Sequence, residues 1–409
     1  VSALRSVEEQ QARVRAAVRA VGTESVPLAG AAGRVLAEPV RAAADLPPFD
    51  NSAMDGFAVR AADVAAASAA SPAVVRVVAD LPAGTADDPS LAPGEAARIM
   101  TGAPTPSDAD AVVPFEDTAG GLADSLETAH VLRAPAPGAA IRRRGSDVRA
   151  GEIVVPAGTV LGAYQLAAVA AAGHHTVVVA RRPRVAVVST GSELVAPGEP
   201  IGRGQIPDSN GTLLAALVTD AGGELVLVER VADTADAVAA VVARALDARA
   251  DVLVFSGGVS AGAYEPVRAA FEGGGDIEFA KVAMQPGKPQ AFGTLPSGAL
   301  VFGLPGNPVS VAVSFEVFVR PALAAMQGRD PQRALVPLRA ATGWRTPPGR
   351  RQYLPAVVDL AAGTVAPATA GGSGSHLAGS LARATAWAIV PAEVEAVAAG
   401  DVVDVMLGA

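Results

Sequence analysis

Between Asp251 and Ser310 the sequence carries three apolar runs, at 252–255, 277–282 and 299–302. Each runs into a glycine- or proline-rich turn: Ser256-Gly257-Gly258-Val259-Ser260, Pro286-Gly287-Lys288-Pro289, and Gly303-Leu304-Pro305-Gly306-Asn307-Pro308-Val309-Ser310. Short apolar runs bounded by turn signals read as buried strands. Helical periodicity follows the first and third turns, which predicts parallel strands with helical crossovers. In such a sheet the loops at the carboxyl ends of the strands gather on one edge, where ligands bind.

Lys281 and Lys288 are the only lysines in the chain, and Asn51, Asn210 and Asn307 its only asparagines. Both lysines and one asparagine fall in this one stretch. A solvated face accounts for two lysines without further meaning. A compact ammonium beside Gly287 equally suits a phosphate or another oxyanion.

The chain has 409 residues, half of them hydrophobic (50%), enough for several domains each with its own core. A net charge of −9 weighs against nucleic acid as a partner, but local loops on an acidic protein still accept small anions. There is no cysteine, which removes disulfides, iron–sulfur clusters and thiol nucleophiles. His130, His174, His175 and His376 are too scattered for a zinc motif. No signal-peptide core and no uninterrupted membrane-length apolar stretch is seen, so the cytoplasm is the expected compartment.

Taken in order, Ser6, Glu8 and Glu9 open a helix predicted over 7–21. Pro47 and Pro48 hold the next segment extended up to the turn at Asp55-Gly56, where Asp55 either bonds its own backbone or serves a site. Short β-runs from 74 to 131 predict a small β-rich domain, and within it Thr101-Gly102 presents a hydroxyl and an open backbone. The run Arg142-Arg143-Arg144-Gly145-Ser146-Asp147 is a solvated basic face or an anion site. A helix at 162–172 and a strand at 176–179 lead through an arginine-rich linker to a strand at 185–189. That strand ends in the turn Ser189-Thr190-Gly191-Ser192-Glu193. Asp208-Ser209-Asn210 precedes an amphipathic run; capping alone explains Asp208 and Ser209, while a helix amino end also offers N–H groups to phosphate. A strand at 224–231 ends near Asp233, and a helix follows at 235–248. Beyond Pro331, β-like runs at 336–341, 354–360, 386–390 and 402–407 predict a small barrel or sandwich.

The strand-end groups make a consistent set. Backbone N–H groups at Ser256-Gly257-Gly258-Val259-Ser260 suit an anion nest. Glu193, Asp233 and Glu265 are hard oxygen donors suited to Mg²⁺ beside a phosphate. There is no Walker A sequence and no dinucleotide fingerprint after a strand.

Together, the phrases at 47–57, 99–104, 142–147, 189–194, 256–260, 286–289 and 303–310 resemble the molybdopterin molybdenumtransferase family, the MoeA proteins related to the carboxyl-terminal domain of gephyrin. The resemblance spans essentially the whole chain. It implies a multidomain α/β plus β fold: a discontinuous helical and linker domain (1–45 and 146–180) and an inserted β-rich domain (46–145). A molybdopterin-binding α/β domain with a mostly parallel sheet (181–328) and a carboxyl-terminal β-barrel (329–409) follow. It implies a homodimer acting on adenylylated molybdopterin and molybdate with Mg²⁺, releasing AMP. Glu193, Asp233 and Glu265 would then stand near metal and phosphate, and Lys281 and Lys288 would neutralise the substrate. Ser189, Thr190, Gly191, Ser209, Asn210, Ser256, Gly257, Gly258, Ser260, Asn307 and Ser375 would contact the pterin substrate, with Pro305 and Pro308 shaping the loop beneath it. Asp55, Thr101, Arg142 and Asp147 would close the cleft from the facing subunit.

Two departures stand out: Glu265 replaces the family's usual Asp, and Gln285 a frequent lysine. A molybdopterin adenylyltransferase and a gephyrin-like scaffold are the alternatives. The first would need only the α/β domain, which the long flanks of this chain argue against.

Overall fold

The structure, a computed structural model, describes residues 4–121, 126–259, 266–271, 276–369, 374 and 378–408. The first helix, α1 (Val7–Ala17), opens with a reciprocal cap: Glu9 N donates to Ser6 Oγ (3.0 Å) and Ser6 N to the Glu9 carboxylate (2.7 Å). It ends at Ala17, short of the expected Val21, because Val18 turns extended. The chain then leaves to donate Val21 N–H to Met326 O (3.1 Å), so a tertiary bond overrides the local helical signal. Val7 and Val14 of α1 pack into the core of the central sheet, although the sequence groups this helix with the linker.

The linker's own core brings together chain from both sides of the insertion. Thr23–Pro27 pairs antiparallel with Thr176–Ala180, and Val40–Arg41 pairs with Ile153–Val155. Helix α2 (Ala163–Ala171) buries Val169 beneath them, among Leu36, Leu161 and Val179. The two segments leading into and out of the insertion are pinned by carboxylates. Asp50 accepts from Arg144 N (2.7 Å) and Arg143 Nη1 (2.6 Å), and Asp45 from Ala150 N (2.9 Å) and Arg144 Nε (2.6 Å).

The inserted unit is a five-stranded sheet made of β1 (Gly56–Val59), β2 (Ala73–Leu81), β3 (Glu95–Ile99), β4 (Ala111–Pro114) and β5 (Thr128–Val131) in the order β4-β1-β3-β2-β5. Its two faces bury separate clusters, Phe57, Val75 and Val113 on one and Leu81, Ile99 and Val112 on the other. The backbones of β1 and β4 approach so closely that a Cβ on Gly56 would lie 2.0 Å from Val113 O.

The central unit holds a six-stranded sheet: β6 (Arg184–Thr190), β7 (Glu224–Val231), β8 (Val252–Ser256), β9 (Glu278–Lys281), β10 (Pro289–Thr294) and β11 (Leu300–Leu304), in the order β7-β6-β8-β11-β10-β9. The first four in that order are mutually parallel, as the crossover pattern predicts. Strand β9 does not join them directly. It reaches them through β10, which is antiparallel to both β9 and β11. The sequence reading passes over β10, because Pro289 at its first residue and the polar Gln290 inside it dilute the apolar signal.

Helices cover both faces. Helix α3 (Ser209–Asp220) and α1 lie on one, with Val185, Val187, Leu214 and Val218 in a shared cluster. Helices α4 (Ala235–Asp247) and α5 (Pro266–Phe271) lie on the other, over Ala186, Val188, Leu253 and Phe255. This two-sided burial is why the strands read as continuous apolar runs. After β11 comes α6 (Pro308–Ser314), which passes through a π turn at Phe315–Val319 into Arg320–Met326. The span Pro308–Met326 is long and apolar enough to cross a membrane, but 83% of its apolar window is buried inside the fold, where it serves as a core helix.

The last unit is a closed barrel of five strands: β12 (Leu335–Ala340), β13 (Arg351–Asp359), β14 (Thr364–Pro367), β15 (Ala386–Val390) and β16 (Val402–Leu407). Its ring runs β13-β14-β12-β16-β15 and closes back on β13. A two-residue parallel ladder, Met284–Gln285 against Arg351–Gln352, seats it on the central unit, and Tyr353, Trp387 and Met406 face the central core.

Gly56→Ala is expected to destabilise the inserted unit by about 1–3 kcal/mol, because the new methyl group has no space beside the β4 carbonyl. Limited proteolysis should show faster cleavage within 46–145, and unchanged resistance there would contradict the tight β1–β4 approach.

Candidate active site

The carboxyl ends of β6, β7, β8 and β11 open into a cleft of about 860 Å³. Of the residues singled out from the sequence, it is lined by Thr190, Gly191, Glu193, Ser209, Asn210, Asp233, Ser256, Gly257, Gly258, Lys288, Pro305, Asn307 and Pro308. Ser189 stands behind the wall, fully buried, with its hydroxyl donating to Asp208 (3.1 Å). Lys281 is exposed at the end of β9 and does not line the cleft. Ser260, Glu265 and Ser375 lie outside the described residues.

Side-chain amides and carboxylates hold the loops in register. Asp208 caps α3 by accepting from Gly211 N (2.9 Å), which settles its capping role. Asn210 Nδ2 donates to Ser256 Oγ (2.8 Å) and to Gly306 O (2.7 Å), tying the loops after β8 and β11 to the start of α3. Among the described residues no donor reaches its buried Oδ1. Asp233 accepts from Ser192 N (2.9 Å), lacing the loop after β7 to the loop after β6.

Gly257 has φ +94°, and a Cβ there would come within 2.8 Å of Thr190 Oγ1. Only glycine lets these two loops meet so closely. Its N–H, however, donates to Leu304 O (3.0 Å), so the anion nest expected after β8 is short of that donor.

Sequence reasoning missed two contributors. Gln290, buried in β10, donates to Gly287 O (2.7 Å) and Ser314 Oγ (2.7 Å) and so holds the loop that carries Lys288. A glutamine inside an apolar strand was the available signal. Arg350 lines the cleft from the segment before β13. Nothing local marks it; it arrives through the ladder that sets Arg351–Gln352 beside Met284–Gln285. Gln285 lines the cleft as well.

The charges are segregated along the sheet edge. Glu193 and Asp233 stand at the β6 and β7 end, and Lys288 and Arg350 at the β10 end. Three strand spacings separate β6 from β10, about 14 Å. Among the described residues no group of three His, Cys, Asp or Glu side chains is placed to hold a metal ion. Glu193 and Asp233 are nonetheless hard oxygen donors of the kind that holds Mg²⁺ together with substrate phosphate and water.

Asp55, Thr101, Arg142 and Asp147 lie on the inserted unit and its return strand, and none lines this chain's cleft. Asp55 does not bond its own turn. Its Oδ1 accepts from Thr101 N (2.6 Å) and Thr101 Oγ1 (2.8 Å), which hold its carboxyl below the usual carboxylate range, the backbone N–H contributing most. Arg142 is exposed opposite Asn51 in a two-residue ladder, and Asp147 N donates to Leu46 O (3.0 Å).

Three family models cover nearly the whole chain: MoeA N-terminal region (domain I and II) over 5–173, probable molybdopterin binding domain over 186–325, and MoeA C-terminal region (domain IV) over 337–407. Molybdopterin molybdenumtransferase 2 of Mycobacterium tuberculosis is 45% identical over 97% of this chain and 98% of its own length. Molybdopterin molybdenumtransferase of Nostoc is 40% identical over 90% of this chain and 85% of its own. The crystal structure of a molybdopterin biosynthesis MoeA protein from Pyrococcus horikoshii superposes with a TM-score of 0.85 at 29% identity, covering 99% of this chain and 100% of that one.

The depressed Asp55 carboxyl stays ionised until the pH falls through its lowered folded value, so the stability it contributes is present above the ordinary Asp value and lost below the folded one. Thr101→Val should move the midpoint part of the way back up, since the backbone donor remains. Carboxyl-carbon NMR titration checks this, and an unmoved midpoint would remove the hydroxyl from the account.

Proposed function

The chain belongs to the molybdopterin molybdenumtransferase (MoeA) family, and from that premise we propose that it inserts molybdenum from molybdate into adenylylated molybdopterin, releasing AMP in a Mg²⁺-dependent reaction. The observation that carries this reading is the charge-segregated cleft at the strand ends. Both ends of the reaction need a distinct environment: one for an adenylate phosphate with its metal, the other for a tetrahedral oxyanion.

Glu193 and Asp233 would hold Mg²⁺, which supplies neutralisation of phosphate charge when bound. Lys288 and Arg350 would hold molybdate at the opposite end, the guanidinium by its fork and the ammonium as a point charge. Arg350 supplies a cation on the side where Gln285 stands in place of a lysine. Asn210 and Ser256 fix the floor between the two ends. Attack by a water oxygen on the adenylate phosphorus breaks the anhydride bond to molybdopterin, and that oxygen stays on the phosphorus of AMP. The bridging oxygen leaves with the pterin phosphate, and AMP departs. Lys288 stabilises the negative charge of the bound molybdate, on which AMP release depends.

Asp55, Thr101, Arg142 and Asp147 are read as contributions to a neighbouring subunit's cleft within a homodimer. That their own chain's cleft lacks them supports this reading. The partners are small anions rather than nucleic acid or membrane, in keeping with the chain's net charge of −9 and the size of the cleft, and the cytoplasm is the proposed compartment.

Purified protein mixed with adenylylated molybdopterin, molybdate and Mg²⁺ should release AMP and yield active cofactor. Lys288→Ala should slow AMP release by about a hundredfold. AMP release at the native rate from Lys288→Ala would contradict the assignment, as would net ATP consumption with bare molybdopterin. Mixing inactive Lys288→Ala with inactive Asp55→Ala chains should restore about a quarter of native activity if clefts are shared between subunits. No recovery after subunit exchange would place each site within one chain.

A further inference from the structure

The helix that begins at the cleft contains a buried carboxylate that the proposed reaction does not use. Pro308, the first residue of α6, lines the cleft, and Glu316 lies further along the same helix in the π turn Phe315–Val319, with 2% of its side chain exposed. π turns interrupt the regular helical ladder and concentrate at functional places. Glu316 accepts a two-pronged bond from Arg320, Nε to Oε2 at 2.7 Å and Nη2 to Oε1 at 2.9 Å. It accepts a further bond from Arg333 Nη1 at 2.5 Å. Arg333 lies in the segment leading into β12, and its Nη2 donates to the carbonyls of Leu407 and Gly408, the latter at 3.0 Å. Arg320 also pairs with Asp220 at the end of α3 (3.0 Å). One nearly dry carboxylate therefore joins the cleft-floor helix to the closing strand of the barrel.

The barrel in turn presents Arg350 to the cleft, immediately before the ladder that seats it on Met284–Gln285. We propose that Glu316 is a positioning residue for the oxyanion end of the cleft: through Arg333 it fixes the seat of the barrel and so the reach of Arg350 beside Lys288. The inference rests on reading Lys288 and Arg350 as the oxyanion-binding cations. Its rival is an ion cluster that serves stability alone. Stability does not separate the two, because removing one partner of a buried pair leaves an uncompensated charge in either case.

The separating readout is the KM for molybdate against kcat in the AMP-release assay, on the full chain. Glu316→Gln should raise that KM about tenfold with kcat changed by no more than about twofold. The double variant Glu316→Gln with Arg333→Met removes both charges, guards against simple misfolding and should behave alike. Placed on top of Arg350→Ala, Glu316→Gln should add nothing further, since it acts through that side chain. An unchanged molybdate KM in a cooperatively melting Glu316 variant overturns the proposal, and so does an effect that adds to that of Arg350→Ala. If Arg350→Ala itself leaves the molybdate KM unchanged, the oxyanion reading fails, and the role of Glu316 falls with it.

Discussion

Everything at the cleft depends on the two-sided burial of β6, β8 and β11. Val187, Val254 and Val301 have no exposed surface, and their neighbours along each strand alternate between the two cores. Each such side chain contributes about 1.5–3 kcal/mol by leaving water. Polar groups are tolerated only where those strands end, so Ser189, Thr190, Ser256 and the loop after β11 collect on one edge. Once there, they are fastened to one another rather than left loose, by Asn210 across β8 and β11 and by Gln290 beneath Lys288.

The barrel and the inserted unit obey a different constraint. Each has its own core, but each is also seated by a few directional contacts. The barrel sits by the Met284–Gln285 ladder and the Glu316–Arg333 bond, and the insertion by Asp45 and Asp50 against Arg143 and Arg144 of its return segment. Small numbers of oriented bonds between rigid bodies fix angles that apolar packing alone leaves soft. That is how a cation from the barrel comes to line a cleft of the central unit.

The central architecture was legible in the sequence because buried parallel strands write a continuous apolar run followed by turn residues. The rarity of lysine and asparagine then pointed to Lys288, Asn210 and Asn307, all of which line the cleft. What the sequence hid was whatever is decided by contacts distant in the chain. The end of α1 is set by a bond to Met326, and β10 is a strand because β9 and β11 flank it. Arg350 reaches the cleft because of a ladder formed in three dimensions, and Gly257 spends its N–H on Leu304 instead of on an anion. Lys281, equally rare in composition, lies at the end of β9 outside the cleft. Residue rarity alone did not distinguish it from Lys288.

In the proposed reaction the oxyanion sits at the Lys288 and Arg350 end, across the sheet edge from Glu193 and Asp233. Anomalous diffraction at the molybdenum edge, from crystals soaked in molybdate, locates the metal directly. A single peak is expected within hydrogen-bonding reach of Lys288 and Arg350. A peak beside Glu193 and Asp233 instead, with none at the cationic end, would contradict it.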